Sequence, residues 1–314
     1  MKLFFASDVH GSERCFLKFI NAGRYYGADV IVLGGDITGK ALVPIVRGPN
    51  GAYRAEFLGD AVTAATAAEL GELQRLIRFN GHYPLVVTPD ELAGLRASPE
   101  AQAAAFRRVM RETLVRWLDL AAERLDGRGM RCLVMPGNDD DPDIDDIIAS
   151  SPTVENPHDR VVELGDGLVL AGSAYSNTTP WRAPRELPEA DLAAHLEGLC
   201  ARVGDFRRAV LCTHVPPHES GLDSAPAVDS DLNLRASAGQ PRLIPAGSRA
   251  VRAVIEARQP LLALHGHIHE GRGFCRLGRT LCINPGSDYA AGILRGASVT
   301  IEGGRVRGFQ LVAG

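Results

Sequence analysis

Five short apolar runs constrain this sequence most, because each is followed within about three residues by a side chain able to bind a metal ion. The runs cover residues 3–6, 30–33, 132–135, 209–212 and 261–264. Their length and composition are typical of buried β-strands. The side chains that follow them are, in order, Asp8 and His10, Asp36, Asn138 and Asp139, His214, and His265, His267 and His269. Ligands of open α/β sheets bind beyond the carboxyl ends of the strands, so the pattern predicts one shared site.

The types of side chain in this pattern favour a pair of divalent cations. Asp36 has two carboxylate oxygens and can bridge two ions, Asn138 offers a neutral carbonyl oxygen, and the histidines offer ring nitrogens. Such a mixed oxygen and nitrogen set suits manganese, iron or zinc better than magnesium or calcium. Two ions roughly 3.5–4 Å apart can activate a water molecule and hold a phosphoryl group for in-line attack.

Each motif also has an ordinary structural explanation. Asp8 could cap a helix or form a turn, Gly137 and Asn138 could form a turn, and His214 could be a buried core histidine. The cluster of three histidines at 265–269 is the most specific local signal. The metal interpretation depends on all five pieces standing at predicted strand ends.

The chain is expected to form a single α/β domain over residues 1–314, with an insertion at 40–130. Ser12 can cap a helix that Gly27 ends, which makes a βαβ unit with the first two strands. The insertion begins with a predicted hairpin at 41–58, and helical patterns follow to about residue 126.

The motif set resembles that of the calcineurin-like metallophosphoesterases. The matching pieces are Asp8-x-His10, Gly35-Asp36, Gly137-Asn138, His214, Gly266-His267-x-His269 and the loop Asn284-Pro-Gly-Ser287. The resemblance implies a four-layer α/β/β/α sandwich with mixed sheets, here with a hairpin-plus-helices insertion. It places Asp8, His10, Asp36 and His269 around one ion, and Asp36, Asn138, His214 and His267 around the other. His265 lies outside this scheme, and we expect it to support the ligands.

The sequence departs from the family at Asp139, where many members carry a histidine thought to protonate the leaving oxygen. A carboxylate beside two cations should be ionised at neutral pH and is a poor acid. This difference suggests a sub-branch with Gly-Asn-Asp in place of Gly-Asn-His, with slow or selective diester hydrolysis in which Asp139 is not essential as an acid. The remaining acids, Asp140, Asp141 and Asp143, are expected to stabilise the start of a helix at Pro142.

The leading functional hypothesis is a dinuclear metal-dependent phosphoesterase acting on a small phosphodiester or a nucleotide. A nuclease is one alternative, but a net charge of −4 offers no obvious basic channel, so nucleic acid is an unlikely partner. A metal-binding interaction scaffold with little turnover is the other alternative: the Asp139 replacement keeps it open, and the complete set of seven ligands argues against it. Candidate substrate contacts are Lys40, Asn177, Trp181 and His218. The edge of the predicted hairpin suggests homodimerisation through the 40–130 insertion.

Composition fits a cytoplasmic protein. Six cysteines occur without a C-x-x-C pair, which is typical of free thiols in a reducing compartment. The apolar run after Met1 is too short for a signal segment, and no run reaches the roughly 18 residues of a membrane span, so no membrane partner is expected.

Overall fold

The computed structural model describes residues 1–127, 129–229, 233–237 and 240–314. The strands in the described ranges are β1 Lys2–Ala6, β2 Val30–Leu33, β3 Leu42–Arg47, β4 Tyr53–Phe57, β5 Asp60–Ala64, β6 Tyr83–Val87, β7 Arg131–Val134, β8 Val154–Glu155, β9 Arg160–Gly165, β10 Leu168–Ser173, β11 Ser176–Asn177, β12 Glu186–Leu187, β13 Ala209–Thr213, β14 Ser224–Pro226, β15 Ala236–Ser237, β16 Gln240–Pro241, β17 Leu243–Pro245, β18 Leu262–Leu264, β19 Gly273–Leu277, β20 Thr280–Asn284, β21 Arg295–Glu302 and β22 Arg305–Ala313. The helices are α1 Glu13–Tyr26, α2 Ala67–Phe79, α3 Pro89–Ala97, α4 Pro99–Leu125, α5 Ile144–Ala149, α6 Glu189–Cys200 and α7 Arg249–Arg258, with 3₁₀ turns at Phe206–Arg208 and Tyr289–Ala291.

Two mixed six-stranded sheets contain all five predicted strands. The first sheet has the order β22-β21-β1-β2-β7-β8, and the second has the order β19-β20-β18-β13-β10-β9. In the first, β1, β2 and β7 run parallel and β21 is antiparallel to β1. In the second, β10, β13, β18 and β20 run parallel. The carboxyl ends of the ligand-bearing strands therefore point to one edge of each sheet.

The alternation of side chains along each strand builds the layers. Leu3 and Phe5 of β1 point into the core between the two sheets, together with Val210 of β13 and Leu262 of β18. Phe4 points to the opposite face, into the core under α1 and α4. On the second sheet, the outward residues pack against α6 and α7. The order helix, sheet, sheet, helix confirms the predicted four-layer sandwich with mixed sheets.

Helix α1 begins and ends where the sequence indicates. The side-chain oxygen of Ser12 accepts a hydrogen bond from the Cys15 backbone N–H, and Gly27 closes the helix in the left-handed conformation at φ 61°. Its buried face meets α4, where the rings of Phe16 and Trp117 stack with centroids 4.3 Å apart. These contacts fix the outer layer over β1 and β2.

The segment at 40–130 contains more than the predicted hairpin and helices. Strands β3 and β4 form that hairpin, but β5 and β6 join them in a four-stranded sheet of order β5-β4-β3-β6. The prediction missed β6 because Pro84 lies within it, and proline argues against a central strand. It missed β5 because Asp60–Ala64 is mostly exposed and lacks an apolar alternation. The parallel pairing of β3 with β6 puts the proline on an edge strand, where a missing N–H costs little.

All six cysteines are free thiols, and all except Cys275 are buried. Within the described ranges, every helix is too short or too polar to traverse a lipid bilayer.

Candidate metal centre

Loops at the ends of β1, β2, β7, β13 and β18 bring the seven predicted ligands together between the two sheets. Three of the ends come from the first sheet and two from the second. All but two of these seven side chains are at most 3% exposed, although each carries polar atoms. Buried polar groups in such number need partners, and here they find them mainly in one another.

One group of donors consists of Asp8, His10 and His269. The Nε2 atoms of His10 and His269 lie 3.0 Å apart, and His269 Nε2 lies 3.5 Å from Asp8 Oδ1. Two neutral imidazoles facing each other in this way can share only one proton, whereas a cation between them accepts both lone pairs. The arrangement therefore fits a bound divalent metal.

The second group consists of Asp36, His214 and His267, with Asn138 between the rings. His214 Nε2 lies 3.4 Å from Asp36 Oδ1, and Asn138 Oδ1 lies 3.0 Å from His214 Nε2 and 2.7 Å from His267 Nδ1. The other oxygen of Asp36, Oδ2, lies 3.6 Å from His10 Nε2 of the first group. Asp36 thus stands between the groups, where a bridging carboxylate has to stand.

The backbone of the site is held in an uncommon conformation. Asp8, His10, Asp36 and His267 all have positive φ, at 58°, 40°, 49° and 65°. Non-glycine residues adopt this region only when the surrounding structure compels them, and such strain concentrates at functional sites. Gly35, at φ 130°, also has no room for a side chain, because a Cβ there would overlap the His214 ring.

Burial and charge divide the histidines into two types. Burial lowers the pKa of His10 to about 3 and that of His267 to about 4, so both rings are neutral near pH 7 and offer lone pairs. Burial also acts against a charge on His214, but the neighbouring Asp36 outweighs it and raises the pKa of His214 to about 10. A proton on His214 would compensate the buried carboxylates, which is the role that a cation takes over when it binds.

Asp140 connects two of the ligand-bearing loops, so the interpretation of it as a helix-stabilising acid was wrong. Its Oδ2 accepts hydrogen bonds from the backbone N–H groups of Ile37 at 2.9 Å and Gly137 at 2.8 Å. Its Oδ1 accepts from the backbone N–H of Thr38 at 2.8 Å and from the Thr38 hydroxyl at 2.5 Å. The side chain is fully buried and fixes the loop that carries Asp36 against the loop that carries Asn138.

Arg185, which the sequence did not single out, holds the same loop from the other side. It is 3% exposed, and its guanidinium donates to the backbone oxygens of Asp140 at 2.9 Å and Asp141 at 3.2 Å. It also pairs with Asp145 at 3.0 Å. A single arginine 45 positions from Asp140 carries no local pattern, so only the contacts reveal its role.

The loops that carry the later histidines have their own supports. The amide of Asn284 donates to the backbone oxygens of Gly266 and Ile268, at 3.2 and 3.0 Å, and so shapes the loop of His267 and His269. His265 is fully buried, and its Nδ1 lies 3.0 Å from the Thr213 hydroxyl at the base of the His214 loop. The structure thus places His265 behind the ligands.

Asp139 faces Lys40 across the opening of the site. Their charged atoms, Asp139 Oδ2 and Lys40 Nζ, lie 2.6 Å apart, with side chains 20% and 53% exposed respectively. Burial opposes the charge on Lys40, but Asp139 outweighs it and raises the pKa of the Lys40 amine, which keeps it cationic. Asp139 also groups with His10 and Asp36 as a further possible ligand set.

A cavity of about 330 Å³ opens directly on the ligands. Lys40, Asp139 and Trp181 line it, and Trp181 is 55% exposed. Asn177 and His218 do not line this cavity: the Asn177 amide donates to the Ala246 carbonyl, and the His218 Nδ1 faces Asp223 at 3.9 Å. Of the candidate substrate contacts, the structure brings Lys40 and Trp181 to the site.

Comparison with known proteins adds evidence about the fold. No family model matches the chain. The uncharacterised protein MJ1162 of Methanocaldococcus jannaschii is 28% identical over 158 residues, which cover 50% of this chain and 64% of that relative. The crystal structure of TT1561 of Thermus thermophilus matches with a TM-score of 0.51 at 14% identity, over 100% of this chain and 97% of that one. YfcE, a phosphoesterase from E. coli, matches with a TM-score of 0.31 at 13% identity, over 99% of this chain and 98% of that one, a likeness too distant to carry an argument.

The fold is defined by two mixed sheets that pack face to face, with helices outside them. Two groups of donors lie at the carboxyl ends of the strands. The observed architecture is the four-layer sandwich that the sequence resemblance to the calcineurin-like metallophosphoesterases implies. The same resemblance assigns the two ligand groups that the distances define, with Asp36 common to both. The Gly-Asn-Asp sub-branch remains a prediction.

Proposed function

We propose that this protein is a dinuclear metal-dependent phosphoesterase that hydrolyses a small phosphodiester or a nucleotide. The observation that carries the proposal is the position of Asp36, whose two carboxylate oxygens face two separate groups of nitrogen and oxygen donors. Asp8, His10 and His269 would hold one ion with Asp36, and Asn138, His214 and His267 would hold the other. The mixed donor set favours manganese, iron or zinc.

When bound, two such cations supply Lewis acidity at phosphorus and a water nucleophile at neutral pH. In the hydrolysis itself, the water oxygen bonds to phosphorus, the bond from phosphorus to the leaving oxygen breaks, and the water protons pass to the leaving oxygen and to solvent. The chain's part is to fix the ligands through Asp140, Arg185 and Asn284 and to orient the substrate in the adjoining cavity.

Lys40 is suited to bind a non-bridging phosphate oxygen. Its ammonium group lines the cavity beside Asp36 and Asn138, and Asp139 holds it there at 2.6 Å. Asp139, already engaged with Lys40, is poorly placed to act as a general acid. We therefore expect diesters with good leaving groups to react best, since they need no proton in the transition state.

A purified-protein assay with bis(p-nitrophenyl) phosphate, in manganese, in zinc and without metal, tests the proposal. We expect metal-dependent release of p-nitrophenolate that Asp36→Asn abolishes, while the exposed control Asp60→Asn retains wild-type rates. Metal content should be measured on the same samples by elemental analysis. Two bound metals per chain without turnover would favour the interaction scaffold, whose supporting observation is the Lys40–Asp139 pair in place of an acid. Cleavage of plasmid DNA faster than of small diesters would favour a nuclease.

A further inference from the structure

The cavity at the ligands is the first of three that adjoin one another. The second, of about 480 Å³, shares Lys40, Asp139 and Trp181 with the first. The third, of about 600 Å³, shares Lys40, Phe106 and Asp141 with the second. We call the second and third cavities together the insertion groove, since β3, β6, α3 and α4 of the 40–130 insertion form most of its walls.

The lining of the insertion groove is largely apolar and incompletely covered. Leu42, Pro44, Leu92, Leu95 and Phe106 line the third cavity, and each is only half buried. Every residue of α3 is at least partly exposed, so the apolar side of this helix lacks the cover that a core helix has. Concave apolar walls of this volume with a few polar groups are typical of small-molecule sites.

The charges around the insertion groove indicate an anionic occupant. Lys40, Arg96 and Arg107 line the third cavity, and Asp141 is the one acid among the described residues of its lining. Lys40 stands at the junction of all three cavities. A ligand with its phosphate at the metal centre would therefore pass Lys40 and extend its organic part along the leucines.

A second group of apolar residues lines the cavity at the ligands. Ala225, Pro226, Val228 and Leu234 line the first cavity together with Lys40. Leu234 is 65% exposed, and the indole of Trp181 stands between the first and second cavities. Apolar side chains therefore line the first cavity as well as the insertion groove.

We propose that the insertion groove binds the apolar part of an amphiphilic phosphoester, such as a phosphate ester of an alkyl or acyl chain. This assignment rests on the proposed phosphoesterase function and names its substrate class. It gives the 40–130 insertion a role in substrate selection. Each methylene that the groove takes out of water strengthens binding by up to about fourfold.

A series of p-nitrophenyl phosphodiesters with methyl, butyl and hexyl as the second ester group tests the proposal, since the leaving group stays constant. Below the micellar concentration, we expect KM to fall at least about thirtyfold from methyl to hexyl, with kcat nearly constant, because the alkyl contacts are equally strong in the ground state and the transition state. Ala103→Trp places an indole in the third cavity and should collapse the methyl-to-hexyl KM ratio at least tenfold. Ala104, the next residue of α4, is also exposed but does not line any of the three cavities, so Ala104→Trp is the matched control and should retain the ratio.

Binding without turnover separates this proposal from the proposed function. Calorimetric titration with hexylphosphonic and methylphosphonic acids, which contain no ester bond for the reaction to break, should show the same chain-length dependence and the same loss in Ala103→Trp. If no diester is hydrolysed but binding still strengthens with chain length, the proposed phosphoesterase function is wrong and the assignment of the insertion groove is supported. If KM is independent of chain length and both phosphonates bind equally well, the proposal that the insertion groove binds an apolar chain is refuted. Light scattering gives a further test. If the protein is a dimer that Ala103→Trp dissociates and Ala104→Trp does not, and if the hexyl compound does not bind, the insertion groove is an interface between two copies of the chain and the proposal is wrong.

Discussion

Replacing Asp140 with asparagine tests the claim that one buried carboxylate holds two metal-binding loops together. The two carboxylate oxygens accept four hydrogen bonds, from the backbone N–H groups of Ile37, Thr38 and Gly137 and from the Thr38 hydroxyl. An asparagine keeps one oxygen, which we expect to stay with Ile37 and Gly137. Its NH₂ group then faces Thr38. The Thr38 hydroxyl can rotate and accept a hydrogen bond from this group, but the Thr38 backbone N–H is a donor and loses its acceptor.

The size of the effect follows from those bonds. A buried donor left without an acceptor costs about 1–3 kcal/mol, and hydrogen bonds to a neutral oxygen are weaker than those to a charged one by about 1 kcal/mol each. Removing a buried charge recovers part of this loss, since burial and the nearby Asp36 already raise the pKa of Asp140. We expect a net destabilisation of about 2–4 kcal/mol.

Urea unfolding of the metal-free protein measures this destabilisation. Calorimetric titration with manganese should show affinity about 10–100-fold weaker, as for other residues that orient metal ligands. Asp143→Asn is the matched control, because its side chain lies in the same acidic run and is 58% exposed. The reasoning is refuted if Asp140→Asn and Asp143→Asn have equal unfolding free energies and equal metal affinities.

Three further expectations concern the residues around the site. In steady-state kinetics with bis(p-nitrophenyl) phosphate, Asp139→Ala should lower kcat by less than the roughly 100-fold that marks a lost general acid. A loss of activity as complete as that of Asp36→Asn would contradict our interpretation of the Lys40–Asp139 pair. Arg185→Met should cost about 2–4 kcal/mol in urea unfolding, because it leaves buried backbone oxygens without their donor, and an unchanged midpoint would argue against the role of this guanidinium. Burial lowers the pKa of His158 from 6.5 to about 4, so the neutral ring contributes stability above pH 6.5 that is lost as the pH falls towards 4. Between pH 7.5 and 4.5, the unfolding free energy of the wild type should therefore fall by about 2 kcal/mol more than that of His158→Gln. Equal losses in the two proteins would disprove this account of His158.

Much of the architecture was predictable because it depends on local patterns. The five buried strands follow from short apolar runs, and α1 follows from Ser12 and Gly27 at its ends. The strand ends then predict where the ligands meet, since parallel strands in a sheet share one carboxyl edge. The resemblance to the calcineurin-like metallophosphoesterases supplied the division of the ligands into two groups, which the distances at Asp36 reproduce.

The error at Asp140 and the omission of β6 both involve partners far apart in the chain. Asp140 was interpreted from its neighbours as a helix-stabilising acid, but its partners Ile37 and Thr38 lie 103 and 102 positions away. The strand β6 was missed because Pro84 disfavours a strand on its own, and its place on a sheet edge depends on pairing with β3.

The sequence by itself determined where the five strands before the ligands lie and which side chains can bind metal, because side-chain period and ligand chemistry are properties of a few neighbouring residues. The tertiary structure alone decided which loops Asp140 and Arg185 hold together, that Lys40 pairs with Asp139, and that the insertion leaves an apolar groove beside the ligands. Those features arise from the packing of distant segments, whose burial and hydrogen bonds have no counterpart in any local stretch of the chain.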